Sequence, residues 1–425
     1  MLDIKWIEAH VDEVQHSADA KGIKLSVKEL VTTNHHRITH LQQLEQLRAT
    51  RNTLTNEIHQ AIQGGDNHQA EQLKQTMKQN KQALEQVQVR WQEANQQYEA
   101  LMLLVPNIIS VDTPSGESDK DNVELRHYLE PTTFDFPAKD HIELGDLHHM
   151  IDIPSGTKTS GSRQYYLTGM GFKLHRAVQQ LAIDLLAARG FEFMDVPLMV
   201  KTEAMVNTGF FPLGQDQSFH LEGEDYWLVG TSEVPLISYY SGKKLDVTAP
   251  IKVAAVSTCF RSEVGSAGRD TNGLYRVHQF SKVEQVVICE DDLALSQQLH
   301  EEITRNAEEL LQLLELPYRV MAVCSGDMSQ KTFKQYDIET WMPSRQAYGE
   351  THSSSNLLQF QARRANIAYL DTDGKPKYCH TLNNTAVATP RILIPLIENH
   401  QQQDGSIYIP KALRPYLQGL EYIKL

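Results

Sequence analysis

Cysteine is scarce in this chain of 425 residues: Cys259, Cys289, Cys324 and Cys379 stand far apart, with no C-x-x-C pair. That spacing excludes a disulfide framework and a cysteine-rich structural zinc site, and a reducing cytoplasm is the expected compartment. No apolar run is long enough to span a bilayer, so neither a membrane helix nor a membrane partner is expected. The opening MLDIKWIEAHVDEV has no basic stretch followed by an apolar one, hence no visible secretory leader. Neither G-x-x-x-x-G-K-[ST] nor a G-x-G-x-x-G after a strand occurs, which removes P-loop and dinucleotide-fold nucleotide binding. Excess basic charge is also missing. The formal net charge of −14 favours solubility but leaves local patches free to meet a polyanion. With 40% hydrophobic residues, the length suffices for two or three domains.

Proline is absent from residues 27–104, a stretch rich in Gln, Glu, Lys, Leu and Ala. Its second half places Ala70, Leu73, Met77, Asn80, Leu84, Val87, Trp91, Ala94, Tyr98 and Leu101 in steps of three and four, a coiled-coil seam. The first half places Leu44, Leu47, Arg51, Leu54, Ile58 and Ala61 likewise. The two series mirror each other about the breaker Gly64-Gly65-Asp66-Asn67, pairing Ala61 with Ala70, Leu54 with Met77 and Arg51 with Asn80. The pattern predicts an antiparallel two-helix arm, helices about 27–62 and 68–104, projecting roughly 50 Å at 1.5 Å per residue. The Arg51–Asn80 layer is polar and would fix register. Eight Lys or Arg balance eight Asp or Glu here, with five His, so the arm is neutral within an acidic chain. Such a rod serves either as a dimerising spacer or as a probe gripping an extended partner such as an RNA helix, which is read by shape and backbone. A linker rich in Ser, Asp and Gly, 106–125, separates an N-terminal domain, 1–105, from a larger one, 126–425.

The larger part mixes helical stretches (Phe172–Arg189, Asp291–Leu314, Arg391–Gln401) with strand-like runs: YWLVG at 226, VAAVSTCF at 253, LYRVHQF at 274, YRVMAV at 318, YDIETWM at 336, ANIAYLD at 365 and KYCHTLN at 377. Helices do not alternate regularly with strands, which predicts an α+β domain, an antiparallel sheet flanked by helices. Within it, FRSEVGSAGRDTNGLYRVHQF (260–280) sets Arg261, Glu263, Arg269, Arg276 and His278 around a Gly-rich loop between two strand-like runs. An exposed charged hairpin is one reading. A nucleotide clamp is the other, since arginine offers a planar fork to phosphate and Phe280 a face to a base.

At these residues the chain resembles the bacterial seryl-tRNA synthetases, class II aminoacyl-tRNA synthetases, over essentially its whole length. Residues 260–280 look like the family's motif 2. TLNNTAVATPRILIPLIENHQ (381–401) looks like motif 3 and FEFMDVPLMV (191–200) like motif 1. Thr231-Ser232-Glu233, ETHSSSN from Glu350, QARRANI from Gln361, KDHIELG from Lys139 and the arm also match. Two departures stand out: NNTAVATPR where many members read NGSGLAVGR, and Ser232 where Ala is commoner.

The resemblance implies a serine–tRNA ligase. Serine and ATP give seryl-adenylate and pyrophosphate; serine then passes to the 3′ end of serine tRNA, and of selenocysteine tRNA where one exists. It implies Arg261 on the α-phosphate and Arg391 on the γ-phosphate, the latter aided by a helix start. Glu263 would position ATP or hold Arg261, Phe280 would stack on adenine, and Val277 would meet the base edge. Ser262, Thr351 and His352 complete the ATP contacts, and Glu350 with Ser353 would hold Mg²⁺ on the phosphates. Serine would be read by Thr231, Ser232, Glu233, Arg261, Glu284, Asn383 and Thr385. For Thr385 a helix cap is the competing role. Arg269 is assigned to the tRNA acceptor end. The resemblance further implies a homodimer whose arms grip tRNA. Two competitors remain: a ligase charging a carrier other than tRNA, and an inactive RNA-binding paralogue.

Overall fold

The computed structural model describes residues 1–264 and 273–425, and they form two compact units. One comprises Leu2–Asp19 and Ile23–Val105; the other comprises Pro106–Leu425 with Met1 and Ala20–Gly22. No described helix is long and apolar enough to cross a membrane.

The first unit is dominated by α1 (Val27–Gln63) and α2 (Asn67–Leu104), which pack along each other as a helical hairpin. Ser26 caps α1 by accepting from Glu29 N at 3.2 Å. Gly65 takes φ +77°, the left-handed conformation a tight reversal needs. Asp66 then opens α2 by accepting from Gln69 N at 2.9 Å. Leu44, Leu54, Ala61 and Ala70 are buried along the seam. The polar layer differs from expectation. Asn80 is buried and its Oδ1 has no hydrogen-bond partner among the described residues, while Arg51 stays exposed. Arginine's long stem lets its charged head stay in water instead of capping the amide.

The second unit is built on an eight-stranded sheet. Its strands are β1 (Val123–Tyr128), β2 (Glu192–Phe193), β3 (Ile251–Phe260), β4 (Gln279–Cys289), β5 (Tyr318–Ala322), β6 (Lys334–Met342), β7 (Ala347–Asn356) and β8 (His380–Thr389). Their spatial order is β1-β5-β6-β7-β8-β4-β3-β2, antiparallel throughout except for the β2–β3 pair. Helices α3 (Gly169–Ala188), α4 (Glu233–Tyr239), α5 (Leu293–Leu313), α6 (Phe360–Ala365) and α7 (Leu393–Asn399) surround it. Alternation along β4 decides which face holds what. Val283, Val287 and Cys289 join Leu174 and Val178 of α3 and Ile303 and Leu310 of α5 in one apolar core. Val286 and Ile288 point the other way, against Leu236 and Ile237 of α4 and Ala362 and Ala365 of α6. Burying each such side chain contributes about 1.5–3 kcal/mol.

Three local expectations change. The run from Leu274 is not extended before Gln279, because Tyr275 and Val277 turn inward. The helix expected from Arg391 begins at Leu393. Thr385 lies within β8 and caps no helix.

Candidate functional site

The same alternation on β4 brings Phe280, Lys282 and Glu284 onto the face that carries Val286 and Ile288, and these three line a cavity of about 290 Å³. β3 pairs with β4 in register Cys259 with Phe280, so the chain leaves the sheet beside that wall. Arg261 N donates to His278 O at 3.0 Å, and His278 Nδ1 donates back to Arg261 O at 3.0 Å, closing the base of the hairpin. The Arg261 guanidinium lies 5.2 Å from the Phe280 ring centroid and donates to Gly230 O at 3.5 Å. Glu263 sits at φ +51°, a conformation costly for a residue with a side chain, and its carboxylate lies 3.4 Å from Arg276 Nη1.

Two β-bulges tune the far wall. Between β4 and β8, Val283 faces Val387 and Glu284 faces Thr385, so Ala386 is the extra residue. This seats Thr385 against Glu284, and its hydroxyl donates to Glu284 Oε2 at 3.3 Å. Between β6 and β7, Ile338 faces His352 and Glu339 faces Glu350, leaving Thr351 extra. Glu350 and Ser353, three apart, would lie on opposite faces of a regular strand; with the bulge both line the cavity.

Two buried ion pairs occupy one end. Lys282 Nζ is 2.6 Å from Glu284 Oε2, and Lys331 Nζ is 2.5 Å from Glu233 Oε1. Burial pushes the Glu284 carboxyl above its ordinary range, opposed by Lys282. Burial likewise pushes the Lys331 ammonium down, opposed by Glu233. Glu233 N also donates to Thr231 Oγ1 at 3.3 Å. At the other end Arg391 donates from Nε to Tyr275 O and from Nη1 to Glu350 O, both at 3.0 Å, and lies over the Tyr275 ring. Its orientation comes from these carbonyls and not from a helix start, since α7 begins two residues later and is short. The His352 imidazole is buried and therefore held down to about 3, so it is neutral at pH 7.

Thr231, Glu233, Arg261, Glu263, Val277, Phe280, Glu284, Glu350, Thr351, His352, Ser353, Asn383, Thr385 and Arg391 thus all line one cavity. Ser262 does not; its hydroxyl donates to Asp216 O at 2.7 Å and ties down the neighbouring turn. Ser232 is fully buried behind the wall, its hydroxyl unpartnered among the described residues. Arg269 lies outside the described residues. Sequence reasoning missed Lys282, Tyr275, Gln335, Phe210 and Lys331, which also line the cavity. Lys282 was within reach, being in phase with Phe280 and Glu284 on one strand. No local pattern marks Lys331.

No group of three or more His, Cys, Asp or Glu that could cage a metal occurs among the described residues. Glu350 and Ser353 do supply a carboxylate and a hydroxyl to the cavity, hard oxygen donors that suit a magnesium ion keeping water and phosphate ligands.

The chain matches two family models: the seryl-tRNA synthetase N-terminal domain over residues 1–109, and the class II tRNA synthetase core domain (G, H, P, S and T) over 218–400. It is 42% identical to a serine–tRNA ligase of Deinococcus radiodurans, covering 100% of this chain and 99% of the relative. The corresponding protein of Bdellovibrio bacteriovorus is 40% identical, with both chains fully covered. Among solved structures, seryl-tRNA synthetase from Pyrococcus horikoshii complexed with ATP superposes with a TM-score of 0.90 at 34% identity, covering 100% and 99% of the two chains. A cytoplasmic serine–tRNA ligase from Naegleria fowleri in complex with AMP gives 0.85 at 28% identity, with the same coverage.

Proposed function

The chain belongs to the seryl-tRNA synthetase family and is a ligase that activates serine with ATP and charges tRNA with it; we propose that the cavity beside β4 is where both steps occur. One observation carries this reading: a single cavity is lined by an aromatic face, a buried glutamate and two arginines, the groups a nucleotide and a small zwitterion require.

In the first step a serine carboxylate oxygen bonds to the α-phosphorus of ATP, and the bond from that phosphorus to the bridging oxygen breaks, releasing pyrophosphate. No protein nucleophile is needed, so the protein contributes alignment and charge. Phe280 stacks on adenine beside the Val277 backbone. Arg261 meets the α-phosphate, where negative charge accumulates, and Arg391 meets the terminal phosphate. Glu263 holds the nucleotide end of the hairpin. Magnesium, bound through Glu350 and Ser353, would neutralise phosphate charge; chelating divalent cations should abolish activity. Glu233 and Glu284 take the serine ammonium, and Thr385 with Asn383 read its hydroxyl. Asn383 Nδ2 is buried without a partner among the described residues, so alanine, which brings no hydroxyl, would leave it unpaired, a basis for strong rejection. In the second step a ribose hydroxyl at the tRNA 3′ end attacks the adenylate carbonyl. AMP leaves, and the hydroxyl proton passes to its phosphate or to water.

The helical hairpin of α1 and α2 is the element we assign to tRNA, and a cytoplasmic homodimer is the proposed working form, which a monomer in light scattering would refute. Deleting residues 27–104 and bridging the gap with a short linker tests the division of labour. Serine-dependent ATP–pyrophosphate exchange should persist while tRNA charging falls by at least about a hundredfold. Charging that survives the deletion would sink the arm's role. Absence of exchange in the intact protein would sink the cavity reading.

A further inference from the structure

Among the described residues the Glu233 carboxylate makes two hydrogen bonds, both on Oε1: Lys331 Nζ at 2.5 Å and Gln361 Nε2 at 2.6 Å. Gln361 is itself held, its Oε1 accepting from Thr381 Oγ1 at 2.8 Å. Lys331 is fixed just as firmly. Its carbonyl accepts from Asn107 Nδ2 at 3.1 Å, and its ammonium lies 3.9 Å from the Phe210 ring centroid. Its stem runs against Gly209, at φ +80°, where an added Cβ would come within 3.2 Å of Lys331 Cβ and 3.4 Å of Cδ. Lys331 and Phe210 both line the cavity at the Glu233–Glu284 end.

This arrangement has a chemical consequence. Two carboxylates face a pocket whose substrate brings one ammonium. Lys282 already answers Glu284, so Lys331 supplies the second cation and occupies one oxygen of Glu233, leaving the other to an incoming ammonium. A buried charge pair also resists rotation, because breaking it strands both charges in a poor solvent. The four-carbon stem meanwhile fills volume that a smaller residue would open.

We propose that Lys331 is a specificity-determining residue of the amino-acid pocket: its ammonium holds Glu233 in the orientation that receives the substrate, and its stem sets the pocket's size against residues larger than serine. The proposal rests on the assignment of Glu233 to the serine ammonium. It adds a positioning residue 98 positions away in sequence.

Pyrophosphate exchange with serine and with threonine, in the full-length protein, tests it. Lys331→Ala should raise the serine KM about tenfold with kcat nearly unchanged, and cut the serine-to-threonine discrimination in kcat/KM by about tenfold or more, the range one methylene commands. Lys331→Met keeps the bulk without the charge. It should raise the serine KM similarly yet retain the discrimination. If the alanine variant does not fold, Lys331→Val takes its place under the same two criteria. Unchanged KM and discrimination in the truncated variant would overturn the proposal, as would a raised KM with discrimination intact. Glu233→Gln separates this from the underlying assignment. If it raises the serine KM while the Lys331 variants do not, the proposal alone fails; if it also leaves serine KM unchanged, the assignment of Glu233 fails with it.

Discussion

Leu54 in the arm and Lys282 in the cavity are both buried, but what surrounds them differs in kind. Leu54 belongs to a series of layers, each made by side chains a turn apart on two helices, so every layer depends mainly on its nearest neighbours. Lys282 sits on a strand flanked on both sides, faces Glu284, and shares that carboxylate with Thr385 from another strand. In the arm burial is apolar and local. In the cavity it is ionic and assembled from distant segments. The arm should therefore yield a little to each substitution and the cavity a great deal to a few.

The largest effect expected is at Lys282. Replacing it with Met leaves Glu284 buried without its cation, and removing one partner of a buried pair costs about 3–5 kcal/mol. Urea unfolding should show that loss, and the double change Lys282→Met with Glu284→Gln should recover most of it. A single-variant loss under about 1 kcal/mol would place the pair among weak surface bridges and erase the contrast with the arm.

A smaller effect comes from acid. His300 stacks flat on Tyr336 at 4.7 Å, and burial holds its imidazole down to about 4; His352 is held down to about 3. Both values lie below the ordinary 6.5, so the unfolded chain takes up these protons first as pH falls. The stability these histidines contribute is fully present above about pH 6.5. It is lost as pH drops toward 4, at about 1.4 kcal/mol per pH unit for each once the unfolded form is protonated. Unfolding midpoints at pH 7 and pH 5 check this, and His300→Gln should flatten the slope. An unchanged slope would mean His300 does not titrate differently on unfolding.

How legible each region was in the sequence follows from the same physics. The arm's seam repeats every few residues and its tip carries two glycines and a cap, so the local pattern suffices. The β3–β4 hairpin was visible because strand-like runs flank a Gly-rich loop. β7 was not: AYGETHSSSN is nearly all polar, since this strand serves the cavity and carries a bulge at Thr351 that breaks alternation. Tyr275 and Val277 look extended by composition but turn into the cavity instead. Lys331 could not be found by any window, because its meaning lies in Glu233, on a different element. Where a position is defined by partners far along the chain, propensity and period carry no information about it.

The smallest effect expected runs in the opposite direction to the first. Asn80 Oδ1 and Trp91 Nε1 are the buried polar atoms of the α2 seam left unsatisfied among the described residues, and Asn80 is the one that an apolar residue of similar size can replace. An unpaired buried amide costs on the order of 1 kcal/mol or more, and Arg51, expected from the sequence to face it, is exposed. Asn80→Leu should therefore stabilise the arm by about 1 kcal/mol, read as a raised urea midpoint by far-ultraviolet circular dichroism in the full chain. The same kind of change, a polar group replaced by an apolar one of similar size, destabilises at Lys282 and stabilises at Asn80. Only the former polar group has a buried partner to strand. A loss of stability in Asn80→Leu would mean that the polar layer holds the two helices in register, and that even the local half of this molecule depends on a specific polar contact.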